Sequence, residues 1–146
     1  MTFSFLLDIN VWIALHYEGH RHHADAVAWF RTLDEGQPLV FCRHTQMGMF
    51  RLLTTEAVMG GATLTQRQCW ALYKRWIDGG RALLLAEPEG LDPEFRRLTS
   101  ADAPSPKTWA DAYLAVFAEA AGLTLVTLDK ALAEKARAAV LLSSGP

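Results

Sequence analysis

Four runs of continuous apolar residues punctuate the chain: Phe3 to Leu7, Leu39 to Cys42, Ala82 to Ala86 and Leu123 to Thr127, with a weaker fifth over Ala139 to Leu142. Short apolar runs bounded by turn signals predict strands, and unbroken apolarity predicts strands covered on both faces. Between them the apolar positions change to helical spacing. Cys69, Trp70, Leu72, Tyr73, Trp76 and Ile77 form one such stripe, with Thr65 and Gln68 ahead of it at capping-box spacing and Gly79-Gly80 behind it. Asp92-Pro93 predicts an N-cap followed by an N1 proline, and Ser105-Pro106 predicts a further helix that Gly122 ends just before the fourth strand. The order β-α-α-β-α-α-β-α-α-β-α-β follows. It predicts an α/β fold, a three-layer α/β/α sandwich with a mostly parallel central sheet.

A chain of 146 residues, 51% hydrophobic and 21% charged, is sized for one domain over residues 1–146, and disorder or a fibrous repeat is excluded. Gly60-Gly61 and Ala103 to Pro106 are expected to be loops within that domain. Lys plus Arg number 14 against 16 Asp plus Glu, so any contact with nucleic acid must come from local charge. Cys42 and Cys69 are too few for a disulfide framework, and Met1-Thr2-Phe3-Ser4 does not open a secretory signal. A cytoplasmic protein with no membrane span is expected.

The chemistry concentrates in three carboxylates. Asp8 follows the first strand and Asp129 lies two residues past the end of the fourth, which is where a parallel sheet collects functional side chains. Each could equally be a helix N-cap. Asp111 is the only charge in the apolar segment from Trp109 to Ala118, so it must be paired, protonated or bound to a cation, unless it forms a capping box with Thr108. Three carboxylates at one edge repel, so neutralising any one of them should relieve the protein when no cation is present. Asn10 and Thr127 add neutral oxygens. Such a donor set suits Mg²⁺, with Mn²⁺ as a substitute, holding a phosphate and activating a water for in-line attack.

These residues resemble a known family. Leu6-Leu7-Asp8-Ile9-Asn10-Val11-Trp12 is similar to the opening D-x-N motif of PIN domains, and Trp109 to Ala115 followed by Gly122 to Asp129 is similar to their C-terminal acidic half. Ala26 with Trp29-Phe30, Thr45 to Leu53 and Pro106 to Ala118 extend the likeness over almost the whole chain, to the VapC toxins of bacterial toxin-antitoxin pairs. The resemblance implies a metal-dependent endoribonuclease with Asp8, Asp111 and Asp129 catalytic and metal-holding, an RNA substrate, a VapB-like antitoxin and a homodimer. One position departs from the pattern. The acid usual on the helix after the second strand is missing, Gln46 or Gly48 falls there, and Glu56 lies beyond.

Gln46 is therefore expected in a supporting role, and Arg43 and Arg51 on the same helix are candidate RNA contacts. His16, His20, His22 and His23 lack structural-zinc spacing and are expected at a solvated helix start. The Trp70, Tyr73, Trp76 stripe is expected on a peripheral helix that presents apolar surface. Two other functions fit part of the pattern. One is a degenerate PIN module that binds RNA or a partner without cutting. The other is a haloacid-dehalogenase-like phosphatase with Asp8 as nucleophile, although Asn10 has no proton to give a leaving group.

Overall fold

The computed structural model describes residues 4–142. From the N-terminus it runs through β1 (Phe5–Leu7), α1 (Ile9–His16), α2 (His23–Arg31), β2 (Leu39–Phe41) and α3 (Arg43–Leu53). Next come α4 (Glu56–Met59), a 3-10 turn (Gly60–Ala62), α5 (Gln66–Asp78), β3 (Ala82–Leu84) and α6 (Asp92–Leu98). α7 (Thr108–Ala121), β4 (Thr124–Thr127), α8 (Lys130–Lys135) and β5 (Ala139–Leu141) complete it. All five predicted strands form, each trimmed at an end, and Phe3 of the first lies outside the described residues. Between β2 and β3 there are three helices rather than the two expected. The extra one, α4, has four residues, too few to display a 3.6-residue period.

The strands lie in the order β3-β2-β1-β4-β5, and every neighbouring pair is parallel. Side chains alternate between the two faces. Leu7, Leu39, Phe41 and Val126 point into a core built with Val11, Trp12, Met49, Leu53 and Tyr73 from α1, α3 and α5. Leu6, Val40 and Leu125 point the other way, against Leu114, Phe117 and Ala118 of α7 and Leu132 of α8. Helices thus cover both faces, as the apolar runs predicted. The expectation of burial on both faces holds for the central strands and fails at the edges, where Leu83, Leu84 and Leu141 are all more than a third exposed. A strand with one neighbour has less to hide behind.

Local signals account for most helix ends. Thr65 Oγ1 accepts the Gln68 amide at 3.1 Å while Gln68 Oε1 accepts the Thr65 amide at 2.8 Å, completing the expected capping box. Asp92 is the first residue of α6 rather than its cap, because Leu91 takes the cap position and Pro93 sits within the first turn. α7 begins at Thr108, later than Ser105-Pro106 suggested, and Ser105 Oγ instead meets Thr108 Oγ1 at 2.7 Å. The aromatic stripe of α5 turns largely inward: Tyr73 is buried, and the Trp76 indole donates to His16 Nε2 at 2.7 Å. Trp70 alone of the three faces out, 56% exposed. No helix among the described residues is long and apolar enough to cross a membrane.

Gly122 closes α7 at φ +69°, which lets the Leu123 amide reach back to the Ala118 carbonyl at 2.8 Å and sends the chain straight into β4. A side chain there forces L-residue geometry into the left-handed region, at about 1–2 kcal/mol. Gly122→Ala should therefore lower the thermal midpoint by about 2–8 °C without changing the far-ultraviolet spectrum, as a melting curve followed by circular dichroism will show.

Candidate acidic site at the carboxyl edge of the sheet

The chain builds β1, β2 and β3 outward in one direction and then returns to place β4 and β5 on the other side of β1. The switch point lies between the carboxyl ends of β1 and β4. Asp8 and Asp129 emerge there. Asp8 caps α1, its Oδ1 accepting the Ile9 amide at 2.7 Å, and Asp129 caps α8, its Oδ1 accepting the amides of Ala131 at 2.9 Å and Leu132 at 3.3 Å. Capping is thus real for both, and it fixes each carboxylate with its second oxygen free for other contacts.

Thr127, fully buried at the end of β4, joins them. Its hydroxyl donates to Asp8 Oδ2 at 3.0 Å and accepts the Asp129 amide at 3.0 Å. Asp111, 7% exposed in the first turn of α7, completes the acidic edge from the opposite helical layer. It makes no capping box with Thr108. Its partner is the ammonium of Lys107, 3.7 Å from Asp111 Oδ2, and the same ammonium is hydrogen-bonded to Asp129 Oδ2. Two of the three acids therefore share one cationic atom supplied by the chain, and Asp8 joins the edge through Thr127.

The electrostatics separate the acids. Burial pushes the Asp8 carboxyl above its usual range, the hydrogen bonds from Thr127 and Ile9 pull it back, and the charges of Asp111 and Asp129 push it up again. Lys107 holds Asp129 below the usual range, and Asp129 in turn raises the Lys107 ammonium. Burial first and repulsion second thus bear on Asp8, while Asp129 is already compensated.

The remaining expected residues divide. Asn10 is exposed on α1 and shares a groove with Asp129, with no hydrogen bond to the acids. Gln46 is buried, and its Oε1 accepts from Arg43 Nη1 at 2.6 Å, so those two side chains occupy each other. A Cβ at Gly48 would run into Ile9 Cδ1, so an acid there would need the Ile9 side chain to move aside. Arg51 opens on a separate groove with Phe50, Thr54 and Trp70. The histidines are more integrated than a solvated helix start implies: His16 Nδ1 donates to the Trp12 carbonyl at 2.7 Å, and His23 Nδ1 to that of Ala14 at 2.6 Å. Two residues of the site escaped sequence reasoning. Lys107 carried a readable signal, the i, i+4 spacing to Asp111, whereas its contact with Asp129 had none. His44, half-buried beside Tyr113, feels the Asp8 charge from the start of α3, next to the end of β2.

Carboxylate and hydroxyl oxygens are the donor chemistry a hard divalent ion takes. In kind and charge these residues fit Mg²⁺ or Mn²⁺. Among the described residues, no three acids, histidines or cysteines are drawn close enough to grip one ion together.

Residues 5–138 match the PIN domain family. The chain is 42% identical over 133 residues to Ribonuclease VapC41 of Mycobacterium tuberculosis, covering 88% of this chain and 91% of that protein. It is 32% identical over 131 residues to Ribonuclease VapC29 of the same species, covering 88% and 87%. Among solved structures, PAE2754 from Pyrobaculum aerophilum superposes with a TM-score of 0.61 at 23% identity, covering 96% of this chain and 84% of that one.

The split between the acids makes opposite expectations for two isosteric changes in metal-free protein. Asp8 has a raised folded pKa, so protonation favours the fold, and that contribution, full below pH 3.8, is lost as pH rises through the folded value. Asp8→Asn should thus be more stable than wild type at neutral pH, with the difference vanishing in acid. Asp129 has a lowered folded pKa, so its contribution is present above pH 3.8 and lost as pH falls through the folded value. Asp129→Asn should be the less stable at neutral pH. Urea melts across pH 3 to 7 decide it, and equal stabilisation by both changes would contradict the role given to Lys107.

Proposed function

The chain belongs to the PIN-domain family, among its VapC ribonuclease toxins, and from that footing we propose that it is a Mg²⁺-dependent endoribonuclease, with Mn²⁺ as a substitute, working in the cytoplasm. The observation that carries the reading is one acidic edge in which Asp111 and Asp129 share the Lys107 ammonium and Thr127 ties Asp8 to the start of the Asp129 turn. In this reading those three acids hold the metal. A divalent ion bound there supplies an activated water and neutralises charge on the scissile phosphate. Thr127 sets the Asp8 carboxylate through its hydroxyl and keeps the end of β4 in register with it. The backbone amides of α1 and α8 fix the orientation of Asp8 and Asp129, so neither carboxylate has to be ordered when the substrate arrives. Lys107 supplies the countercharge until a cation or an antitoxin does so.

A VapB-like antitoxin and a homodimer belong to the same proposal. An antitoxin that places a basic side chain beside Asp8 and Asp129 would satisfy the cluster by the electrostatics Lys107 already uses. A second reading is a PIN module that binds without cutting, favoured by Gln46 standing where an acid is usual and being bonded to Arg43. The phosphatase reading falls with membership of the PIN family.

Cleavage of mixed cellular RNA, titrated with Mg²⁺ and Mn²⁺, is the test. Asp8→Asn, Asp111→Asn and Asp129→Asn should each lower cleavage by about 100-fold or more while remaining folded. Full activity in any two would remove the acids from the mechanism, and no cleavage by wild type at any metal concentration would favour the non-cutting module. Co-expression with the product of the adjacent reading frame should yield a complex that no longer cleaves.

A further inference from the structure

An open groove of about 500 Å³ adjoins the acidic cluster, with Asp129 as its shared wall. It is lined by Asn10, His20, Arg21, His22, Leu128 and Lys130. We propose that this groove seats the ribose-phosphate backbone of single-stranded RNA next to the phosphate being cut, with Arg21 and Lys130 each pairing one phosphate. The inference rests on the ribonuclease reading above and assigns that reaction a substrate-positioning surface.

The net charge of the chain is −2, so an RNA strand approaching three carboxylates needs a local attraction. Arg21 and Lys130, both in the lining of the groove, provide it. Both are exposed, and among the described residues no carboxylate lies within ion-pair distance of either. Lys107, by contrast, is already engaged by Asp129.

The segment carrying Arg21 is held in place. The His20 amide donates to the Tyr17 carbonyl and the His23 amide to that of His20, both at 3.0 Å, and His23 Nδ1 anchors the next residues to the end of α1. His20 Nδ1 accepts the His22 amide at 3.0 Å, which leaves the ring proton on Nε2. A neutral ring in that tautomer offers a phosphate or ribose oxygen an N–H without needing a positive charge. Asn10 adds an amide able to give and to accept, which suits a 2′-hydroxyl. Leu128 is the one apolar residue in the lining, so the groove offers little to an amphipathic protein helix and much to a hydrated polyanion.

The test is the salt dependence of binding. Anisotropy of a labelled, unstructured RNA oligonucleotide, in metal-free buffer so that no cleavage occurs, is followed from about 50 to about 200 mM salt. Each phosphate neutralised on a single strand contributes about 0.7 to the log-log slope, so Arg21→Ala with Lys130→Ala should flatten it by about 1.4. Arg21→Lys with Lys130→Arg should restore the slope. Arg67→Ala with Lys74→Ala, an equal loss of charge on α5, should leave it unchanged. With Mg²⁺ present, the first pair should raise KM for a long RNA and leave turnover of a dinucleotide as it was.

An unchanged slope in the Arg21 and Lys130 variant overturns the groove even if wild type cleaves RNA, as does an equal loss in the α5 control. Loss of antitoxin binding with the RNA slope intact would give the groove to the protein partner and likewise overturn the assignment. Wild type that neither binds nor cuts RNA defeats the ribonuclease reading itself, a separate and distinguishable failure.

Discussion

Holding carboxylates half-buried at the ends of two neighbouring parallel strands is the constraint this edge of the fold has to meet, because burial first, and the like charges of Asp111 and Asp129 after it, push against an ionised Asp8. β1 and β4 run side by side, so Asp8 and Asp129 leave the sheet close together, and α7 brings Asp111 to the same edge from the opposite layer. Each acid is tied before it meets the others. Amides of α1 and α8 hold two of them, the Thr127 hydroxyl spans the strands, and one ammonium serves Asp111 and Asp129 together. A helix-capping role and a chemical role are therefore compatible in the same residue. The cap fixes the carboxylate in orientation, and a fixed carboxylate is what a cation site requires.

The sequence made the central layer legible because its physics is local. A strand covered on both faces must be apolar throughout, and Leu39 to Phe41 could hardly be anything else. Asp111 stood out for the same reason, as the single charge in the apolar segment from Trp109 to Ala118. Edge strands were harder, since Leu83 and Leu84 are apolar yet exposed, and nothing in three residues tells an edge from a centre. α4 was illegible through shortness. Asp92 was misplaced by one position, because N-cap and first-turn sites favour the same residue types.

The site was legible in its acids and opaque in what balances them. Asp8, Thr127 and Asp129 announce themselves by following strands. Lys107 touches Asp129 across 22 positions of chain, and His44 approaches Asp8 only because β2 lies beside β1. Contacts of that kind are consequences of topology rather than of pattern. The histidines show the converse error. They were expected at a solvated helix start, yet His16 is half-buried and held between the Trp12 carbonyl and the Trp76 indole, a neutral ring spanning two elements.

The identity of the residue on α3 completes the electrostatic argument. With Gln46 bonded to Arg43 and a glycine at 48, α3 brings no negative charge to the cluster, and one ammonium serves two of its three acids. A fourth carboxylate would have added to the repulsion on Asp8, whose carboxyl burial already pushes up. Lys107 is tethered one turn from Asp111, so its effective concentration at the acids is high and independent of any ion in solution. It stabilises the cluster when no other cation is present, and a divalent ion drawn to the same oxygens has to compete with it. In the proposed reading, the side chain that stabilises the metal-free edge would therefore be the one that opposes a metal at the same oxygens.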